Sequence, residues 1–297
     1  MSDYPLGRLG LRVRPLEVRP FAEVAECVAE FEELGWPAFW ITETVGREAF
    51  TFATLLLGAT RRLVVSIGCA SIWGRDALTA SAAQRTITEV YGDRLVVALG
   101  VSHHTLTEEA RGHRYVAPYT AMRDFLDAMD AAPYQAAAPA TPQRRLLAAL
   151  GPRMLELSGT RADGAHPYLT TPHRTAQARE ILGPGPVLAP EQLVVLDPDA
   201  GSARTLARVT LARYLTLPNY LANLTRMGFT DDDVRGGGSD RLVDALVARG
   251  DEDAVRRRVQ EHLDAGADHV IVQPLPTPDG LDLNEIRRLS AALLAPA

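Results

Sequence analysis

The strongest constraint on the fold is an alternation of short apolar runs with longer segments of helical spacing, which begins at residue 9. Such alternation is typical of strand-helix units that build a parallel sheet. Eight runs have the composition of buried strands: residues 9–13, 38–42, 63–68, 95–99, 145–150, 164–167, 192–196 and 268–273. Eight units in about 290 residues favour an α/β fold of the (β/α)8 TIM-barrel type over a doubly wound sheet.

The predicted barrel forms a single domain, residues 1–297, with a helical insertion before its last strand. Residues 201–250 carry several helical segments without an obvious strand, and they include the Gly-rich stretch GGGSDR. This stretch does not follow a strand, so we do not interpret it as a dinucleotide fingerprint. We expect a loop there, followed by a helix that is capped by Ser239 or Asp240.

Composition excludes several classes of protein. All 31 basic residues are arginine, which excludes a lysine Schiff base and a P-loop lysine. A net charge of -6 with scattered arginines argues against a nucleic-acid partner. Cys27 and Cys69 lie far apart, as is typical of proteins from a reducing cytosol, and no apolar stretch approaches the roughly 18 residues of a membrane span. We therefore predict a cytoplasmic protein that has neither a nucleic-acid nor a membrane partner.

The active site of such a barrel lies at the carboxyl ends of its strands. The residues that follow the predicted strands are Arg14, Thr42, Glu43, Thr44, Gly68, Cys69, Ala70, Ser71, Gly100, Val101, Ser102, His103, Leu150, Gly151, Pro152, His166, Pro167, Tyr168 and Gln273. Three of these ends carry glycine or other small residues, which favours the close approach of a flat ligand over plain tight turns.

Two side chains at these ends are candidates for proton transfer. Glu43 would place a carboxylate at the barrel mouth, although it is equally interpreted as a solvated loop charge or as an ion-pair partner of Arg47. We favour His103 over His104 because it lies nearer the end of its strand. Cys69 is interpreted as a packing residue. The histidines lack the spacing of metal ligands, so no metal site is predicted.

Three segments in order, EELGWPAFWITE, TRRLVVSIGCASIWGRDA and GDRLVVALGVSH, resemble the bacterial luciferase-like monooxygenase superfamily. Later segments, among them RLLAALGPRMLELSGTRADGAHPYLTTP and DAGADHVIVQP, resemble its branch of oxidoreductases that depend on the deazaflavin coenzyme F420. The resemblance covers residues 8–275. It implies a barrel that holds the cofactor ring in its mouth, with the phosphate tail near the ends of strands five and six, and hydride moving through C5 of the ring.

The resemblance also implies a cis peptide bond at Gly68–Cys69, cofactor contacts after strand four, and a cofactor-binding loop after strand five. Together with the strand ends, it gives the predicted cofactor-binding set: Thr42, Glu43, Gly68, Cys69, Ser71, Gly100, Val101, Ser102, Ala149, Leu150, Gly151, Pro152, His166 and Tyr168.

The chain departs from the sugar-phosphate dehydrogenases of this superfamily at two points. These enzymes have histidine after the acidic residue that follows strand two, whereas Glu43 is followed by Thr44. They also use lysines to bind the substrate phosphate, and this chain has none. Oxidation of a phosphorylated sugar is therefore disfavoured. The glucose-type members place a carboxylate where His103 stands, which makes His103 the candidate proton donor.

The leading hypothesis is a reductase that uses reduced F420 to deliver hydride to an electron-poor C=C or C=N bond. The substrate is expected to be a small molecule or a modified peptide, for example one with a dehydroamino acid, and His103 or Glu43 would supply the proton. One alternative is an FMN-dependent monooxygenase with the same barrel mouth. Another is a catalytically silent barrel that acts as a binding partner, because a fold alone does not carry function.

We also expect a homodimer, because members of the superfamily commonly pair through barrel helices. An apolar surface for pairing is predicted on the second helix, at Phe50, Phe52, Leu55 and Leu56, although these side chains could equally cover the barrel.

Overall fold

The computed structural model describes residues 4–277 and 280–295. At its centre is a parallel sheet of ten strands, in the order β7-β6-β5-β4-β3-β2-β1-β10-β8-β9. The strands are β1 Leu9–Leu11, β2 Ala38–Ile41, β3 Val64–Ser71, β4 Leu95–Gly100, β5 Arg144–Ala148, β6 Gly164–His166, β7 Val187–Leu188, β8 Glu191–Val195, β9 Val247–Arg249 and β10 Val270–Pro274. Nearly every strand residue is buried, as expected for a parallel sheet covered on both faces.

The sheet closes on itself through the chain segment that contains β7 and β8. Ala189 donates a backbone hydrogen bond to Ala165 of β6 at 2.9 Å. On the other side, Ile271 of β10 donates to the carbonyl oxygen of Pro190, also at 2.9 Å. β7 and β8 therefore share the seventh position of an eight-position barrel, which confirms the predicted TIM-barrel fold.

The strand prediction missed two short strands. The predicted seventh strand, residues 192–196, is present as β8 Glu191–Val195, but β7 Val187–Leu188 precedes it, and the two are separated at Pro190, which has no N–H to donate to the ladder. The predicted insertion, residues 201–250, also contains the short strand β9, which pairs with β8. Three residues are too few to produce a readable alternating pattern.

Helices follow most of the strands and cover the outside of the barrel. They are α1 Phe21–Glu33, α2 Ala49–Ala59, α3 Ala77–Tyr91, α4 Pro118–Asp130, α5 Pro152–Arg161, α6 Pro172–Leu182, α7 Ala200–Ala212, α8 Pro218–Arg226, α9 Asp231–Val234, α10 Asp240–Leu246, α11 Glu252–Asp264 and α12 Leu283–Leu293. Ser239 caps α10 by accepting a hydrogen bond from the Leu242 N–H, as predicted. Among residues 4–277 and 280–295, no helix combines the length and apolar character needed to cross a bilayer.

The apolar pairing surface predicted on α2 is largely absent. Phe50, Phe52 and Leu56 are at most 4% exposed and pack in the core, and only Leu55, at 45%, is exposed. Three of the four residues therefore cover the barrel, as the alternative interpretation proposed. The barrel needs these side chains to fill the layer between α2 and the sheet.

Gly164 in β6 is required by the close approach of β7. A Cβ atom built at Gly164 would lie 1.9 Å from the carbonyl oxygen of Val187. We expect Gly164→Ala to lower the free energy of unfolding by about 1–3 kcal/mol or more, because the two strands must separate to admit the methyl group. Gly185→Ala is the matched control, since a Cβ there meets no atom within 4 Å. Urea denaturation of both variants checks this prediction, and equal stabilities would contradict it.

Candidate active site

The carboxyl ends of the strands open into a cleft of about 480 Å³, which we call the main cleft. All of the predicted site residues line it: Thr42, Glu43, Gly68, Cys69, Ser71, Gly100, Val101, Ser102, His103, Ala149, Leu150, Gly151, Pro152, His166 and Tyr168. The structure thus brings residues from five strand ends into one cavity. His104 is exposed and does not line the main cleft, and its Nε2 lies 3.1 Å from the Glu108 carboxylate.

The glycines at two strand ends make room for protein side chains. A Cβ atom at Gly68 would lie 2.6 Å from the Trp40 ring, and one at Gly100 would lie 2.3 Å from the Cys69 sulfur. Packing therefore requires glycine at both positions, and because both also line the main cleft, their contact with a ligand stays a prediction. The Gly68–Cys69 peptide bond is cis, as the resemblance implied. Burial raises the pKa of the Cys69 thiol to about 11, which agrees with its interpretation as a packing residue.

Glu43 is held firmly in place by hydrogen-bond donors. Its carboxylate accepts a hydrogen bond from the Ser71 backbone N–H at 2.8 Å and another from Arg75 at 3.0 Å. Arg111 lies 3.4 Å from the second carboxylate oxygen. Arg47, the partner considered from sequence, instead donates to the carbonyl oxygen of Glu17 at 2.6 Å. Both carboxylate oxygens of Glu43 are thus engaged by neighbouring donors, and this arrangement favours a structural role for Glu43 over proton donation.

His103 lines the main cleft, and one of its ring nitrogens has no partner in the described part of the chain. Its Nδ1 is buried and has no hydrogen-bond partner among the residues that the structure describes. Burial lowers the pKa of His103 below its usual value, and the nearby Asn219 opposes this shift while the charge of Arg213 adds to it. The ring of Tyr220 lies 5.6 Å from the imidazole. An imidazole with an unused nitrogen in a half-buried cleft is well suited to exchange a proton with a bound molecule.

A buried ion pair forms the floor of the main cleft. One guanidinium nitrogen of Arg12 donates to both carboxylate oxygens of Glu191, at 3.0 and 2.9 Å. His166 lies beside this pair, with Nε2 3.7 Å from Glu191. Burial lowers the pKa of His166 to about 4, so the imidazole is neutral, and its Nδ1 bonds to the carbonyl oxygen of Ala189. The floor therefore carries one balanced pair of charges and a neutral ring.

Residues of α7, α8 and their connection supply a wall that sequence reasoning missed. Tyr214 and Tyr220 pack edge to face at 5.1 Å between ring centroids, and Tyr168 contacts both. Asn219 and Arg213 line the main cleft beside them. No sequence signal could have found these residues, because only the packing of the insertion brings them over the barrel mouth.

The far end of the main cleft is cationic. Gly151 caps the N-terminus of α5 without a side-chain hydrogen bond, and the Arg226 guanidinium lies 3.9 Å from a Cβ built at this glycine. Arg153 lies on the first turn of α5, where its guanidinium stacks 4.2 Å above the Tyr119 ring. Within the described ranges, neither arginine pairs with a carboxylate. A helix N-terminus beside two unpaired guanidinium groups suits an anionic group such as a phosphate.

Comparison with known proteins agrees with this fold. The sequence profile of the luciferase-like monooxygenase family matches residues 9–185, which is more than half of the chain. The chain therefore belongs to this family.

One protein is similar to this chain in sequence, and two solved structures are similar to it in fold. A Mycobacterium tuberculosis protein, named by inference as a coenzyme F420-dependent oxidoreductase, is 25% identical, and the alignment covers 89% of this chain and 94% of the relative. The F420-dependent tetrahydromethanopterin reductase of Methanopyrus kandleri has a TM-score of 0.75 at 18% identity, covering 96% of this chain and 97% of that chain. A Pseudomonas putida type II Baeyer-Villiger monooxygenase in complex with FMN has a TM-score of 0.70 at 13% identity, covering 97% and 96%. The two structural likenesses show the fold.

Proposed function

We propose that the protein is an F420-dependent oxidoreductase that works as a reductase on an electron-poor C=C or C=N bond of a small molecule or modified peptide. The observation that carries this proposal is His103, which lines the main cleft and whose Nδ1 has no hydrogen-bond partner among the described residues, in a cavity that also holds the cationic N-terminus of α5. Family membership and the F420-dependent names of the relatives support the choice of cofactor.

The main cleft fits a ring with an anionic tail. Four arginines of its lining have no carboxylate partner in the described part of the chain: Arg153 and Arg226 lie beside the N-terminus of α5, and Arg14 and Arg213 lie elsewhere in the cleft. When bound, the deazaflavin supplies hydride at C5, and the protein supplies orientation and a dry environment. Arg153, Arg226 and the α5 N–H groups would hold the phosphate of the tail.

The residues of this chain have separate tasks in the proposed reaction. His103 gives a proton to the substrate atom that does not receive hydride, and it regains this proton from water. Glu43 fixes the end of β3 by accepting the Ser71 N–H, and thereby positions the wall of the ring site. Tyr168, Tyr214 and Tyr220 cover the mouth and exclude water from the reacting atoms.

The proposal is tested by fluorescence titration of the purified protein with F420 and, in parallel, with FMN. We expect saturable binding of F420 and weaker binding of FMN. Arg226→Gln is expected to weaken F420 binding by about tenfold, because one charge-assisted hydrogen bond to the tail is lost. Arg257→Gln, on the outer helix α11, is the matched control and should bind like the wild type.

Other outcomes of the titration identify the alternatives. Binding of FMN alone would support the monooxygenase, for which the FMN-bound structural neighbour is the specific observation. Binding of neither cofactor would support the catalytically silent barrel. Equal weakening by Arg226→Gln and Arg257→Gln would remove the proposed tail site while leaving the cofactor assignment intact.

The homodimer and the cytoplasmic location stay predictions. The homodimer now depends on the family resemblance alone, since Leu55 is the one exposed member of the α2 surface.

A further inference from the structure

A second cleft of about 380 Å³ lies beside the main cleft, and we call it the side cleft. Arg14, Thr42, Thr44 and Arg213 line both clefts, so the two cavities share a wall. The other walls of the side cleft come from the chain after β1, the loop after β2, α7 and the end of β10. A molecule whose reacting bond lies in the main cleft can therefore extend into the side cleft.

The side cleft carries a surplus of positive charge. Its lining includes the three cations Arg14, Arg47 and Arg213 and a single carboxylate, Glu17. Arg47 is committed to the backbone carbonyl oxygen of Glu17. In residues 4–277 and 280–295, Arg14 and Arg213 form no ion pair, and Arg14 donates only to the Tyr214 hydroxyl at 3.2 Å. The guanidinium groups of Arg14 and Arg213, which lie on the wall between the clefts, are thus available to bind an anion.

A second, independent observation also indicates a ligand. Gln273, at the end of β10, lines the side cleft and is fully buried, with 0% exposure. Neither its Nε2 nor its Oε1 has a hydrogen-bond partner among the described residues. A buried amide without partners is costly, and a ligand that accepts its N–H group would remove this cost.

The rim of the side cleft is apolar. Val18, Val45 and Val209 line it, and they are the most exposed large aliphatic side chains in the described part of the chain, at 86%, 76% and 74%. Contiguous exposed aliphatic residues around a cavity mark a binding surface. The complementary ligand has an anionic group for the wall and an apolar body for the rim.

We propose that the substrate carries a carboxylate, which binds Arg14 and Arg213 in the side cleft and is positioned by Gln273. The substrate class is then an apolar unsaturated carboxylic acid, with its C=C or C=N bond in the main cleft near His103. The apolar rim favours an organic acid over inorganic phosphate, because phosphate has no apolar body to bury against it. This inference rests on the proposed reductase function and names the substrate class for that site.

The test uses trans-cinnamate and crotonate, each beside its neutral methyl ester. Binding is measured by calorimetry with and without F420, so a failure of cofactor binding is separate from a failure of the side cleft. We expect each acid to bind about tenfold more tightly than its ester, as one charge-assisted interaction implies. Inorganic phosphate is added as a competitor and is expected to displace the acids poorly.

Two variants locate the binding site. Arg213 is exposed, so Arg213→Gln should fold normally, and it is expected to remove the preference for acid over ester. F420 binding of this variant is titrated as well, because Arg213 also lines the main cleft. Gln273→Leu keeps the buried volume and should weaken acid binding without lowering stability. In turnover, both are expected to raise KM more than they lower kcat. Arg257→Gln again serves as the control.

Three results would overturn the inference. The first is equal binding of acids and esters, or binding of neither. The second is an acid preference that Arg213→Gln leaves intact. The third is displacement of the acids by phosphate at equal concentration, which would make the side cleft a phosphate site.

Discussion

Replacement of His103 by asparagine is expected to lower kcat of the reductase reaction by about 10²–10⁴-fold, the usual contribution of a positioned proton donor. Asparagine keeps the polar character and approximate size of the side chain but does not titrate. F420 binding should therefore stay unchanged. His104→Asn is the matched control, because His104 is exposed and paired with Glu108 outside the main cleft. A loss of less than about threefold in His103→Asn would exclude His103 as the donor.

The pH dependence gives a second measurement on the same residue. Burial lowers the pKa of His103, so the imidazole loses its proton at a pH below its usual range. Only the protonated form can donate. The wild-type kcat should therefore fall as pH rises through this lowered pKa, and the His103→Asn variant should lack this decrease. A wild-type profile that rises with pH in this range would contradict the assignment.

The second large effect is expected on stability, from the buried pair Arg12 and Glu191. Arg12→Met should lower the free energy of unfolding by about 3–5 kcal/mol, because it leaves the Glu191 carboxylate buried without a counter-charge. Both side chains are almost fully buried, and each lies on a different side of β10 in the closed barrel. Urea denaturation measures the difference.

The double variant Arg12→Met with Glu191→Leu is the decisive control. Replacing both charges with apolar side chains of similar volume is expected to recover most of the lost stability. The double-mutant cycle then gives the coupling energy of the pair. If the double variant were as unstable as the sum of the two single variants, the loss would come from packing rather than from an unpaired charge.

The barrel and the position of its site were predictable because both depend on local patterns. Each apolar run gives a strand, and the residue after it must lie at the barrel mouth in a parallel arrangement. His103 and Gly151 were found in this way. Arg12 could also have been found, since a charged residue inside the apolar run LGLRV signals a buried partner. Its partner Glu191 was not predicted. Glu191 is the first residue of β8 and follows Pro190, so it does not lie inside an apolar run.

The remaining features depend on long-range packing. The sequence identified Gly68 and Gly100 as special, but it could not say whether a ligand or Trp40 and Cys69 would take the space beside them. The partners of Glu43 were likewise misjudged. Arg75 and Arg111 reach it from separate loops, whereas Arg47, which is closer along the chain, bonds to backbone oxygens.

The wall built by α7 and α8 comes from a different part of the sequence than most of the predicted cofactor-binding residues. The family profile ends at residue 185, so Arg153 falls within it, whereas Arg213, Asn219, Tyr220 and Arg226 lie beyond it. In the proposed enzyme, exchange of residues 200–222, which leaves Arg226 in place, would change the substrate wall and keep the proposed cofactor site. Within a lineage of such enzymes, this segment is where new specificities can evolve while the chemistry stays the same.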